Sequence, residues 1–230
     1  MTIFTNLEAI MIGQEIDLLK NYPKSKRDLS GRLEAKSEAV RAIARQFDKE
    51  FFDADREHGY GGFNYHSRFW QPVVPDFITH FGLQENSSLL DVGCAKGFML
   101  YDILQQLPTM TLSGIDISHY ALDNAKQEVK HLLQQGCATK LPFEDNSFDT
   151  VISINTIHNL DLNKCAKALQ EIERVSKANA FITVDAYRNE QEKERMEAWN
   201  LTAKTMMHVD QWKEFFKDTG YTGDFYWFIP

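Results

Sequence analysis

Along this chain the spacing of apolar residues changes character near residue 87. Upstream, apolar positions recur at helical spacing. Leu7, Ile10, Met11 and Leu18, with Glu15 among them, share one face and predict an N-terminal amphipathic helix. Residues 24–36, KSKRDLSGRLEAK, read as a charged hinge running into a second helix. That helix is expected from Leu33 to about Phe52, with Val40, Ile43, Ala44 and Phe47 on one side. Residues 56–72, REHGYGGFNYHSRFWQP, are rich in glycine and aromatics and have no clear period, which predicts a loop. A short helix is expected over Pro72 to Phe81.

Downstream of residue 87, strand-like runs alternate with helical ones. SSLLDV, TLSGID, a short stretch near Gly136, FDTVISIN, AFITVDA and the terminal YTGDFYWFIP predict strands. Helices are expected through Leu107, from Ser118 to about Leu133, from about Leu162 to Ser176, and onward to about Gly220. This alternation predicts an α/β fold of three layers, a mostly parallel sheet with helices on both faces. Residues 1–86 form a helical N-terminal cap with a lid loop, and residues 87–230 the main domain, with a helical insertion at about 189–207. The pattern gives one terminal strand: either a last antiparallel strand is absent or its partner comes from elsewhere, and an unpaired edge would favour a homodimer. Met206 and Met207 fill core or line a pocket.

Composition narrows the class. The 230 residues carry 25 basic and 33 acidic side chains, a formal charge of -8, which argues against nucleic acid as the main partner. Cys94, Cys137 and Cys165 lie far apart, with no zinc-ligand spacing, and fit a reducing cytosol. Acidic residues interrupt the N-terminal apolar stretch and no basic region precedes it, so it reads as neither a signal peptide nor a membrane span. A cytoplasmic protein without a membrane partner is expected.

The chemistry begins at LLDVGCAKGFML, residues 89–100, a strand, a tight turn and a helix start. In a parallel sheet that turn lines a ligand pocket at the carboxyl end of its strand. A phosphate loop needs Gly-Lys-Ser/Thr, but here Lys96 precedes Gly97 and Phe98 follows it. A dinucleotide turn needs a third glycine, and Phe98 stands in its place. Asp91, just ahead of the glycines, would repel a pyrophosphate and suits a ligand with positive charge and amine donors.

Four blocks in order over about residues 87–185 resemble the class I S-adenosylmethionine-dependent methyltransferases, in particular a small-molecule branch that includes quinone-biosynthesis enzymes. The blocks are LLDVGCAKGFML, GIDISHYALDNAK, GCATKLPFEDNSFDTVISINTIHNL and ALQEIERVSKANAFITVD. The resemblance implies a Rossmann-like fold, S-adenosylmethionine as methyl donor and a small-molecule acceptor, with oxygen the expected nucleophile. It implies that the turn Gly93, Cys94, Gly97 passes under the methionine moiety, with Asp91 near its amino group. Asp116 would accept from both ribose hydroxyls, Ile117 would pack on adenine, and Cys137, Ala138 and Thr139 would flank its edge. Asn155 would lie beside the donor.

Two positions depart from the pattern. Ala95 replaces the middle glycine of the turn. Cys137 stands where related enzymes often carry an aspartate accepting from the adenine amino group.

On the acceptor side the candidates are His158 as base or orienting group, Asn155 and Asn159 as orienting groups, and Tyr60 and His66 from the glycine-rich lid. Tyr65, Arg68 and Trp70 belong to the same lid, and Arg68 with Arg27 and Arg32 could read an anionic acceptor. Asn155 with Asp185 offers two oxygen ligands, too few to predict a metal. Two rival readings keep the fold: an S-adenosylmethionine enzyme with other chemistry, and a degenerate domain serving as a scaffold.

Overall fold

The computed structural model describes residues 11–24 and 37–230. Seven strands form one sheet, β1 (Ser88–Val92), β2 (Thr111–Asp116), β3 (Leu133–Gln135), β4 (Phe148–Ile154), β5 (Ser176–Tyr187), β6 (Met207–His208) and β7 (Asp224–Phe228). The spatial order is β3-β2-β1-β4-β5, and the far edge of β5 is shared by β7 and β6. Every pairing between these strands is parallel, β5–β7 included. Order reverses at β1, which lies between β2 and β4. That is where the glycine turn leaves the sheet.

Helices cover both faces. Leu89, Leu112, Ile152 and Phe181 pack on one side with Phe77 of helix α4 (Val74–Phe81) and with Met99, Leu100 and Ile103 of helix α5 (Phe98–Gln106). Leu90, Val151 and Ile182 pack on the other with helices α7 (Leu162–Val175) and α9 (Val209–Thr219). Helix α7 buries Cys165, Ala168, Leu169, Ile172 and Val175, a stripe at helical spacing, and Asp161 caps its start by accepting from the Lys164 N–H. Helix α8 (Glu190–Trp199) follows β5. Met207 pairs with Ala186 as part of β6.

The cap is less helical than its sequence period suggests. Of the expected Leu33–Phe52 helix, residues 33–36 lie outside the described residues, and the described part holds two helices, α1 (Glu38–Ala44) and α2 (Lys49–Phe52). The break falls at Phe47, whose φ of 53° is left-handed. Residues 56–72, which the absence of a period had read as loop, contain one helical turn, α3 (Ser67–Trp70). The helix expected from Ser118 ends early, as α6 (His119–Asp123), because the Lys126 N–H turns back to the Lys96 carbonyl.

The N-terminal segment overturns a further expectation. Leu7 and Ile10 lie outside the described residues, as do Arg27 and Arg32. From Met11 onward the chain is extended, not helical, until a turn at 18–21. Glu15 bridges Phe225 of β7, with Ile16 N–H donating to the Phe225 carbonyl and Phe225 N–H to the Gln14 carbonyl. The last strand therefore pairs with the chain's own residues 14–16, on the edge that had argued for a homodimer. Unpaired strand groups attract any extended segment, and here that pull outweighs the helical period. Lys213 and Arg188 fix Glu15 from the flank, at 2.9 and 3.8 Å.

Candidate active site

The candidate site lies at the carboxyl ends of β1, β2 and β4. Pairing of Asp91 with Gly114 puts Asp116, two residues on, on the same sheet face as Asp91. After β1 the chain turns through Gly93 (φ 90°), Ala95 (φ 48°) and Gly97 (φ 73°). The Gly93 and Cys94 N–H groups both donate to the Ile115 carbonyl, so the turn folds over the end of β2. A side chain on Gly93 would run into Thr156, and one on Gly114 would meet Cys94 Sγ. Cys94 itself is buried, and burial pushes its thiol well above the usual range. It packs the turn onto the sheet.

Asp116 accepts from the Ala95 N–H at Oδ2 and from the Ser118 N–H at Oδ1, each at 2.8 Å. Two hydrogen bonds leave a carboxylate with further acceptor positions. Burial raises its pKa, and the N–H groups of Ser118 and Ala95 work against that rise. Asp91 is 5% exposed, and among the described residues no hydrogen bond reaches its carboxylate. Burial, and then the charge of Asp116, raise it to about 7. An unpartnered buried carboxylate is costly unless it takes up a proton or something cationic lies against it. The ammonium of an amino acid fits that need. Ile117, next along, is 53% exposed despite being a large aliphatic residue, an apolar face open to a planar ring. Asp91, Asp116 and Ile117 thus fit a nucleoside that carries a free amino acid.

The adenine-edge candidates follow β3. Cys137 is exposed, with Sγ 3.1 Å from Thr139 Oγ1, and Ala138 is half-buried between them. From β4, Asn155 is exposed, has a left-handed φ of 51°, and exchanges bonds with Thr183: its N–H donates to Thr183 Oγ1 and Thr183 Oγ1–H donates to its Oδ1, both at 2.9 Å.

His158 is buried. Its Nδ1 accepts the Asp185 N–H at 3.1 Å and its Nε2 lies 3.5 Å from Asp185 Oδ1. With Nδ1 accepting, Nε2 carries the proton and faces Asp185. Burial lowers its pKa, and Asp185 only partly offsets this. His66 is exposed and caps α3, its Nδ1 accepting the Arg68 N–H at 3.4 Å. Tyr60 is 46% exposed and packs on Phe51, Phe52 and Phe63. The structure groups Asp91, Asp116 and the glycine turn. It ties His158 to Asp185 and gives His66 a local capping bond. Among the described residues no group of three or more His, Cys, Asp or Glu side chains could hold a metal ion.

Sequence reasoning passed over Asp53, Thr156 and Gly114, and weighed Lys96 only against a phosphate loop. Lys96 had a signal, a charged residue inside a glycine turn. Asp53, far upstream, had none.

A family described as "Methyltransferase domain" matches residues 90–184. Over these residues the match supports a class I S-adenosylmethionine-dependent methyltransferase domain. Curated relatives include a Staphylococcus aureus demethylmenaquinone methyltransferase, 29% identical over 64% of this chain and 60% of that protein. Another is an Arabidopsis thaliana tRNA (carboxymethyluridine(34)-5-O)-methyltransferase, 31% identical over 61% of this chain and 33% of that one. The chain thus spans about a third to three fifths of the length of these relatives. Among solved structures, the complex between the Haloferax volcanii Trm112 methyltransferase activator and a methyltransferase aligns with a TM-score of 0.54 and 20% identity, over 85% of this chain and 77% of that one. At that identity it speaks for the methyltransferase fold alone. The match and the solved structure support the expected fold and a methyltransferase domain within this chain.

Proposed function

We propose that this protein transfers a methyl group from S-adenosylmethionine to an oxygen atom of a small-molecule acceptor. The observation that carries the reading is the buried, unpartnered Asp91 beside Asp116 at the glycine turn. When bound, S-adenosylmethionine supplies an electrophilic methyl on a sulfonium. Asp91 would take its amino group, Asp116 its ribose hydroxyls and Ile117 one face of its adenine. Cys137, Ala138 and Thr139 would flank the adenine edge, and Asn155 would lie beside the donor.

The remaining residues align and exclude water, which is most of what such a displacement asks of an enzyme. The lid aromatics Tyr60 and Phe63 would cover the acceptor side. His158, its nitrogens facing Asp185, suits holding the β4 and β5 ends in register better than taking a proton. Asn155 and Tyr60 stay as groups able to orient an acceptor hydroxyl. A small acceptor agrees with the relative named for demethylmenaquinone. The net charge of -8 speaks against a polyanion such as the tRNA in the other relative's name.

Calorimetric titration of the full chain with S-adenosylmethionine tests the reading, repeated with Asp116→Asn. Micromolar binding weakened about tenfold or more in the variant supports it, since charged hydrogen bonds contribute about 1.5–3 kcal/mol. Absence of binding in the parent protein ends it. Acceptors are then screened with methyl-labelled donor against phenols, carboxylic acids and nucleotide-sugars, and mass spectrometry identifies the methylated atom.

A further inference from the structure

Lys96 sits inside the glycine turn, between the left-handed Ala95 and Gly97. Its side chain does not reach into solvent. It is 5% exposed, and Nζ donates to Asp53 Oδ2 at 2.6 Å, in the segment just after α2. The same oxygen accepts from the Tyr120 hydroxyl of α6 at 2.8 Å. The other oxygen of Asp53 accepts the Phe63 N–H at 2.8 Å and so closes the loop that holds Gly59, Gly61 and Gly62. Burial pushes the Asp53 carboxyl up, but Lys96, Phe63 and Tyr120 together hold it below the usual carboxylate range.

One carboxylate of the cap therefore touches both walls of the candidate donor site. It reaches the turn through Lys96 and the helix following Asp116 and Ile117 through Tyr120. The walls are also joined to each other, by the Ala95 N–H on Asp116. Asp53 can satisfy both donors only when turn and helix keep the spacing they have here. Removing Asp53 strands the buried Lys96 charge, and removing Lys96 takes one of the donors from the half-buried Asp53. We propose that the Asp53–Lys96 pair latches the cap to the donor turn, so that cap order and S-adenosylmethionine affinity rise and fall together. Such coupling is reciprocal: whatever the donor does for the cap, the cap does for the donor. The inference rests on the donor reading above.

Hydrogen exchange over residues 49–65 and donor affinity are measured together, in the parent chain and in Lys96→Met, Asp53→Asn and the double variant. Expected are slower exchange at 49–65 when donor is added to the parent, and loss of that response in each variant. Each single change should weaken the donor by about tenfold, with the double no weaker than the worse single. Exchange in β1, β4 and β5 should stay as in the parent. Should Lys96→Met fail to fold, Tyr120→Phe removes one hydroxyl and should weaken the donor in the same direction. Parent-like affinity and a parent-like lid response in the variants overturn the latch while leaving the donor reading intact. No donor binding by the parent chain overturns both.

Discussion

Asp91 and Asp116 stand on one face of two adjacent parallel strands, both buried, and the charge of Asp116 helps raise the Asp91 carboxyl to about 7. Two carboxylates so placed oppose each other in the free protein and cooperate around a cation. An unfolded aspartate titrates near 3.9. Between about pH 4 and pH 7 the native Asp91 keeps a proton that the unfolded chain has lost, so its contribution to stability falls as pH rises through that window. Asp91→Asn should raise the stability of the free protein at pH 8, by about 1–4 kcal/mol, while abolishing donor binding. Denaturant unfolding and calorimetry check the two halves. In the parent chain, donor affinity should rise from pH 6 to pH 8, as the carboxylate ionises.

The turn itself offers a test of backbone strain. Ala95 has a φ of 48°, a region that costs a non-glycine residue about 1–2 kcal/mol. Ala95→Gly should raise the melting temperature by about 2–4 °C for a chain of this size. Gly93→Ala should do the reverse, because its φ is 90° and its new methyl would meet Thr156. Thermal unfolding of Gly93→Ala with Thr156→Ala should recover part of that loss. A Gly93→Ala protein as stable as the parent would contradict the close approach.

Cys137 should limit donor affinity. Its thiol is exposed and points toward Thr139 rather than to any charged group. A thiol accepts weakly, so Cys137→Asp should tighten S-adenosylmethionine by about tenfold or more. Titration of both proteins reads this directly, and an unchanged dissociation constant would move the adenine edge elsewhere.

His158 should govern acid stability. Burial holds its pKa below the usual 6.5. As pH falls, the unfolded chain takes up this proton first, so stability is lost below about pH 6.5. His158→Ala should flatten that loss between pH 6.5 and 5. At pH 8 it should cost about 1–3 kcal/mol, having removed the acceptor for the Asp185 N–H. Urea midpoints across pH measure both effects. A variant as acid-sensitive as the parent would assign the titration to another group.

Much of this was legible before folding. The apolar runs of β1, β2 and β4 and the helical stripe of α7 are local patterns, and the structure realises them with small changes at their ends. The glycine turn, and the acids at the ends of β1 and β2, could be located because strand ends and turns follow from neighbouring residues. The cap was read less well. The Leu33–Phe52 helix breaks at Phe47, and α6 stops at Asp123 because Lys126 bonds to Lys96. Neither event has a mark in the local period.

The sequence by itself determined the alternation of strands and helices, the sheet end at which the glycine turn lies and the residue types in that turn. Periodicity and steric rules within a few residues suffice for those. Only the tertiary structure decided that residues 14–16 cover β7, that Asp53 reaches Lys96 and that no bond reaches Asp91 among the described residues. Gln14 and Asp224 are 210 residues apart, Asp53 and Lys96 are 43. Contacts at such separations are set by which surfaces the packed layers bring together, and burial is a property of the whole assembly of layers.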